Sequence, residues 1–176
     1  MLYFKSIFII IITFFAIISL YSCFSSAKRY AKIINEISAE YDVKPSVVFA
    51  VAEVESHYNP KAESKVGAIG IMQLMPKTAT WIAQCLSIEE FKEEDLYDAQ
   101  TNIRFGAWYL SYLYTVFKED WQVFAAYNAG EGVVKNWIED ENFKKEDIPY
   151  SETAFYVKKV ERAAARYAKK NFAAFD

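Results

Sequence analysis

From residue 26 onward, apolar side chains return every three or four positions, and no stretch alternates with period two. That periodicity constrains the chain more than any other feature, because a helix-period pattern cannot settle as a strand. An all-α fold is therefore expected, as one globular domain without internal repeats. Tyr30, Ile33, Ile34, Ile37 and Tyr41 form the first stripe. Pro45 suits the first turn of a second helix, which runs through Val47, Val48, Val51 and Val54 to about His57 and ends at Asn59-Pro60. A loop over Pro60 to Gly70 carries Gly67 and Gly70 for backbone conformations other residues resist. Pro76 opens a helix bearing Thr80, Trp81 and Cys85, and Ser87 to Glu90 has the spacing of a capping box ahead of an acidic connector. A long helix is predicted over Asp98 to Phe117, with Ile103, Leu110, Leu113, Tyr114 and Phe117 buried. Shorter helices follow over Trp121 to Tyr127, stopped by Asn128-Ala129-Gly130, and over Glu131 to Ile138 with Trp137. Glu152 to Lys170 forms the last.

The N-terminal 27 residues are of another kind. Ser6 to Ala27 contains no charged residue, and 22 such residues are long enough to span a hydrocarbon core as a helix. Three readings compete. An uncleaved signal-anchor comes first. A lipoprotein signal is second, since Leu20-Tyr21-Ser22-Cys23 resembles a lipobox with a bulky Tyr21. A cleaved signal peptide ending at Ser25-Ser26-Ala27 is third. Lys5 on one side faces Lys28, Arg29 and Lys32 on the other, so flanking charge does not give the orientation. Residues 1–27 are thus expected to be a membrane or signal segment, and residues 28–176 the globular domain.

Setting Lys5 aside leaves 19 basic residues against 23 acidic ones. That balance argues against nucleic acid as a partner. Cys23 and Cys85 make no disulfide framework or metal set, and with His57 the only histidine, a His-based triad or zinc site has little support. No metal or organic cofactor is indicated, and the domain is expected to act as a monomer.

What remains is carboxylate chemistry. Val48, Val51 and Glu55 follow the i, i+3, i+7 spacing and share a helix face, whereas Glu53 points nearly opposite and reads as solvated. A carboxyl on an apolar face loses hydration, which raises its pKa and makes it a proton donor near neutrality. An acid at a helix edge that turns to water fits the spacing equally well.

Four blocks then appear in a recognisable order. The first is Glu55-Ser56 with Asn59-Pro60, Ala62 and Ser64. The second is Gly67-Ala68-Ile69-Gly70-Ile71-Met72-Gln73-Leu74-Met75-Pro76. The third is Asn102, Gly106, Tyr109 and Leu110 with Ala125-Ala126-Tyr127-Asn128-Ala129-Gly130. The fourth is Ile148-Pro149, Glu152-Thr153, Tyr156-Val157 and Val160. From about Ile33 to Ala168 the chain resembles the catalytic domain of the soluble lytic transglycosylases, related to goose-type lysozyme. The resemblance implies a lysozyme-like helical fold and cleavage of the β-1,4 bond between N-acetylmuramic acid and N-acetylglucosamine in peptidoglycan. Most glycosidases use two carboxylates; this family is understood to use one. It protonates the leaving oxygen, then takes a proton from the muramoyl 6-hydroxyl as a 1,6-anhydro ring closes, which replaces water by a tethered nucleophile.

By the same resemblance Glu55 is the catalytic acid and base. Ser64 and Gln73 would contact the sugar beside the cleaved bond, Met72 would line that subsite, and Tyr127 would hydrogen-bond near Glu55. Asn128 would hold that corner of the groove, and Glu152 would orient substrate from the far wall with Tyr156 nearby. Plain structural roles compete: core packing for Met72 and both tyrosines, and helix-start charge for Glu152. Two positions depart from the family. Ala154 stands where an Arg is usual, and His57 where a Gly is common. The implied protein is membrane-tethered, with its catalytic domain outside the cytoplasm and glycan strands of the wall as its partner. A hydrolytic muramidase on the same fold, or a wall-binding scaffold without turnover, are the alternatives.

Overall fold

The computed structural model describes residues 25–169. Residues 1–24 of the N-terminal segment, including Cys23 and its lipidation reading, lie outside those residues. None of the described helices is long and apolar enough to cross a membrane. A first helix, α1, covers 25–40. It is followed by α2 (Pro45–Ser56), α3 (Pro76–Cys85), α4 (Ala99–Val116), α5 (Asp120–Ala129), α6 (Glu131–Trp137) and α7 (Ser151–Lys169). Two 3-10 turns, Glu93–Tyr97 and Lys145–Asp147, lie in the connectors. Among the described residues the only β pairing is a pair of isolated bridges, Glu63 with Ile69 and Ile69 with Leu74.

Helix α2 is the centre of the molecule. Pro45 begins it, and all six residues from Val47 to Ala52 are at most 2% exposed. A helix apolar on every side has to be surrounded. Each fully buried Val or Phe there contributes roughly 1.5–3 kcal/mol. Helix α7 packs along it in the opposite direction. Phe49 stacks on Tyr167 with centroids 5.1 Å apart, Glu53 meets Arg166, and Glu55 meets Tyr156. The buried stripe of α7 is Tyr156, Val157, Val160, Ala163 and Tyr167. Helix α1 closes the other flank, where Tyr30 stacks on Tyr58 and Ala27 joins the core.

Several local expectations are corrected. Helix α2 ends at Ser56, before Asn59-Pro60, because His57 and Tyr58 both take left-handed backbone at φ 52° and 63°. A left-handed residue costs a side chain about 1 kcal/mol that Gly escapes, which accounts for the family's Gly at position 57. His57 recovers part of that cost by donating from Nδ1 to the Glu53 carbonyl at 2.7 Å. Its ring is exposed. Glu53 is not solvated: its carboxylate accepts from Arg166 at 2.5 and 2.6 Å and from the Tyr167 hydroxyl. Ser87 caps no helix. It lies in the left-handed region (φ 57°) just past α3, and the reciprocal carboxylate bond forms instead at the next turn, where Lys92 N–H donates to Asp95. Helix α5 runs on through Asn128 and Ala129 before Gly130 ends it. The long helix stops at Val116, leaving Phe117 extended yet only 3% exposed.

Candidate active site

The site forms where the end of α2 meets the Gly-rich segment before α3. Ile69 and Leu74 exchange two backbone hydrogen bonds of 3.0 Å, so residues 70–73 form a tight reversal. Gly70 sits at φ 81°, and a Cβ there would lie 2.2 Å from Asn102 Nδ2. Asn102, wholly buried on α4, ties this segment to the core. Its Nδ2 donates to the carbonyls of Ile69 (3.0 Å) and Leu96 (2.9 Å), and its Oδ1 accepts from Met72 N–H at 2.7 Å. Ser56 at the end of α2 adds a bond from its hydroxyl to the Ile71 carbonyl at 2.8 Å. Neither Asn102 nor Ser56 receives a role from sequence reasoning. An amide on the otherwise apolar face that holds Ile103, Phe105 and Gly106 was the available signal.

Glu55 lies at the last turn of α2, half-buried, and accepts a hydrogen bond from the Tyr156 hydroxyl at 2.7 Å. Burial is the larger influence on its carboxyl and the Tyr156 bond the smaller, opposing one; together they raise its pKa from the ordinary 4.5 to about 7. Tyr156 is itself pushed well above its ordinary value, first by burial and then by the Glu55 charge, so it stays a hydroxyl donor. Tyr127 also lies near enough to feel the Glu55 charge, but the two tyrosines differ in what they bond. Tyr156 touches the acid, while Tyr127 donates to the Met72 carbonyl at 2.8 Å.

The other expected residues separate into two groups. Gln73, Tyr127 and Asn128 come together, with Met75, Thr78 and Tyr109, around a cleft of about 250 Å³ between α3, α4 and α5. Gln73 Nε2 donates to the carbonyls of Gly70 and Ala62, which turns its amide oxygen away from them. Asn128 Oδ1 accepts from Thr153, which joins α5 to α7. Met72, by contrast, is fully buried, with its side chain against Gly106; what it brings to the site is its carbonyl. Ser64 Oγ accepts from Ala68 N–H and shapes the loop. Glu152 is exposed in the first turn of α7, one turn before Tyr156. Ala154 packs partly buried against the core. No group of three or more His, Cys, Asp or Glu able to hold a metal occurs among the described residues.

Two substitutions test this construction. Tyr156→Phe removes the bond that holds the Glu55 pKa down, so the alkaline limb of the pH–rate profile should move upward, with turnover falling roughly tenfold. An unmoved limb would contradict the coupling. Gly106→Ala would set a Cβ 2.7 Å from Met72 side-chain atoms. Overpacking of this kind costs about 1–3 kcal/mol, to be read as a lower midpoint in urea.

The described residues thus hold a carboxyl that burial raises toward neutrality, within an all-helical domain whose cleft is lined by Gln73, Tyr127 and Asn128. Comparison with known proteins makes this specific. The Transglycosylase SLT domain family matches residues 32–149, and the chain belongs to that family. Soluble lytic murein transglycosylases of Salmonella typhimurium and Escherichia coli are each 38% identical to it over 146 residues, which cover 76% of this chain and 22% of theirs. A membrane-bound lytic murein transglycosylase C of Actinobacillus pleuropneumoniae is 27% identical over 80% of this chain and 46% of its own length. The chain thus spans under a quarter of the soluble relatives and about half of the membrane-bound one. Among solved structures, the Escherichia coli soluble lytic transglycosylase superposes with a TM-score of 0.75 at 38% identity, covering 80% of this chain and 24% of that one. An inactive Glu-to-Gln mutant of Pseudomonas aeruginosa Slt gives 0.74 at 34%, covering 79% and 24%. The fold is the lysozyme-like one of lytic transglycosylases.

Proposed function

We propose that the protein is a peptidoglycan lytic transglycosylase, cleaving between N-acetylmuramic acid and N-acetylglucosamine with formation of a 1,6-anhydromuramoyl end. The observation that carries this reading is Glu55, whose pKa of about 7 leaves it able both to give and to take a proton near neutrality. Its hydrogen-bond partner is a tyrosine hydroxyl rather than a second carboxylate, in keeping with one group serving as acid and then base. In the first step Glu55 protonates the departing glycosidic oxygen, and the substrate's N-acetyl group meets the positive charge at the anomeric carbon. In the second the Glu55 carboxylate removes the 6-hydroxyl proton as that oxygen closes on the anomeric carbon. Tyr156 orients the carboxyl throughout. Gln73, Tyr127 and Asn128 line the cleft that receives the sugar, and Ser64 and Glu152 approach the strand from the loop and from the start of α7.

We further propose that the protein works at the outer face of the membrane, anchored by the uncharged run from Ser6 to Ala27. The existence of a membrane-bound relative supports this placement. Mass spectrometry of glycan digested by the purified protein tests the reaction. Anhydro ends are the expected product, reducing ends would mean hydrolysis by water, and intact glycan would mean binding without turnover.

A further inference from the structure

The cleft at about 250 Å³ is small for a polymer's binding site. It falls below the roughly 300–1,000 Å³ that encloses a drug-sized ligand, so a strand seated in it must continue across neighbouring surface. The surface on the α3 side is unusual. Met75 precedes that helix and Thr78 and Trp81 follow within it; Met75 and Thr78 line the cleft, and Met75 and Trp81 are 41% and 36% exposed.

Trp81 is exposed yet held firmly. The rings of Trp108 and Tyr112 are parallel within 4° and those of Tyr109 and Tyr112 within 11°. Trp81 stands across all three at 71°, 86° and 75°, with centroids 4.9 to 6.2 Å away. Edge contacts of this kind fix the indole while part of it stays in water. The row also connects to the site: Tyr127 lies 5.4 Å from Tyr109, and Tyr109 lies 6.2 Å from Trp81. Tyr109 therefore belongs both to the cleft wall and to the support of Trp81.

We propose that Trp81 is an outer glycan subsite that takes the apolar C–H face of a hexosamine ring one or more sugars beyond the cleft. The inference rests on the peptidoglycan reading above. A rigid aromatic loses little side-chain freedom on contact, so its burial goes into affinity rather than into ordering. The occupant follows from continuity, because the surface begins at residues that line the cleft and the substrate is longer than the cleft.

The test is a binding titration of uncrosslinked glycan strands of increasing length to the full-length Glu55→Gln protein, with and without Trp81→Ala or Trp81→Phe. In the parent, affinity should rise with strand length. Trp81→Ala should remove that gain, weakening the long strands roughly three- to tenfold, while the shortest bind as before and Trp81→Phe retains part of the gain. Thermal midpoints report whether each variant keeps its fold, and the Phe variant carries the test should the Ala variant fail to fold. Identical length dependence in all three proteins would overturn the Trp81 subsite and leave the glycan reading intact. A parent that binds no strand of any length would overturn the glycan reading and the subsite with it.

Discussion

Glu55→Gln is expected to lower glycan cleavage by at least 10²- to 10⁴-fold, the usual worth of one positioned acid–base group, while leaving the fold in place. Gln is nearly the same shape and can still accept from Tyr156, so the groove should be unchanged. The wild-type rate should hold below neutrality and fall as pH rises through about 7, where the acid form is lost. Stability should follow the same group. The folded carboxyl keeps its proton to higher pH than the unfolded one, so the native state binds more protons between about 4.5 and 7. Its contribution is therefore fully present below 4.5 and lost as pH rises through 7. A rise from 4.5 to about 7 corresponds to roughly 3 kcal/mol at most. Glu55→Gln should consequently be more stable than wild type at pH 8 and show no such advantage near pH 4. Denaturant titrations at the two pH values measure this; equal stability at both would remove the buried-acid description.

The second large effect is expected at a buried side chain beneath the site. Asn102→Leu keeps the volume of a wholly buried side chain but removes the Asn102 bonds to Met72 N–H and to the Leu96 and Ile69 carbonyls, of which only Ile69 keeps its bond from Leu74 N–H. Each buried group that loses its bond costs about 1–3 kcal/mol, Ile69 least because Leu74 still donates to it, so a total of roughly 3–5 kcal/mol is expected. The thermal midpoint should fall by about ten degrees. Cleavage should fall as well, even where the variant is folded, because the Met72 carbonyl that accepts from Tyr127 moves with this segment. An unchanged midpoint would mean that the amide is not the tie described.

Local rules recovered a good part of the architecture. Pro45 and Pro76 both open helices, since a fixed φ and a missing N–H suit that position. The failures come where distant parts of the chain decide. Glu53 looked solvated because a helical wheel of α2 cannot show that α7 returns with Arg166 and Tyr167. The single-face argument for Glu55 was also incomplete, because α2 is buried on every side through Ala52. Tyr127 and Tyr156 were both legible as candidates, but which of them bonds the acid depends on the packing of α7, and spacing along the chain carries no such distance. The same holds for Asn128, which the Thr153 contact keeps within α5 where the Asn-Ala-Gly run suggested a stop.

The antiparallel pairing of α2 and α7 bears on when the Glu55 environment comes together as the chain is made. The hydroxyl that orients Glu55 comes from a residue 101 positions later in the chain. A chain emerging from its N-terminus, whether from the ribosome or through a translocation channel, presents Glu55 long before Tyr156. Contacts this remote in sequence form late, after the intervening helices have closed the loop. Incomplete chains are therefore without the assembled Glu55–Tyr156 pair, which forms only once α7 has docked.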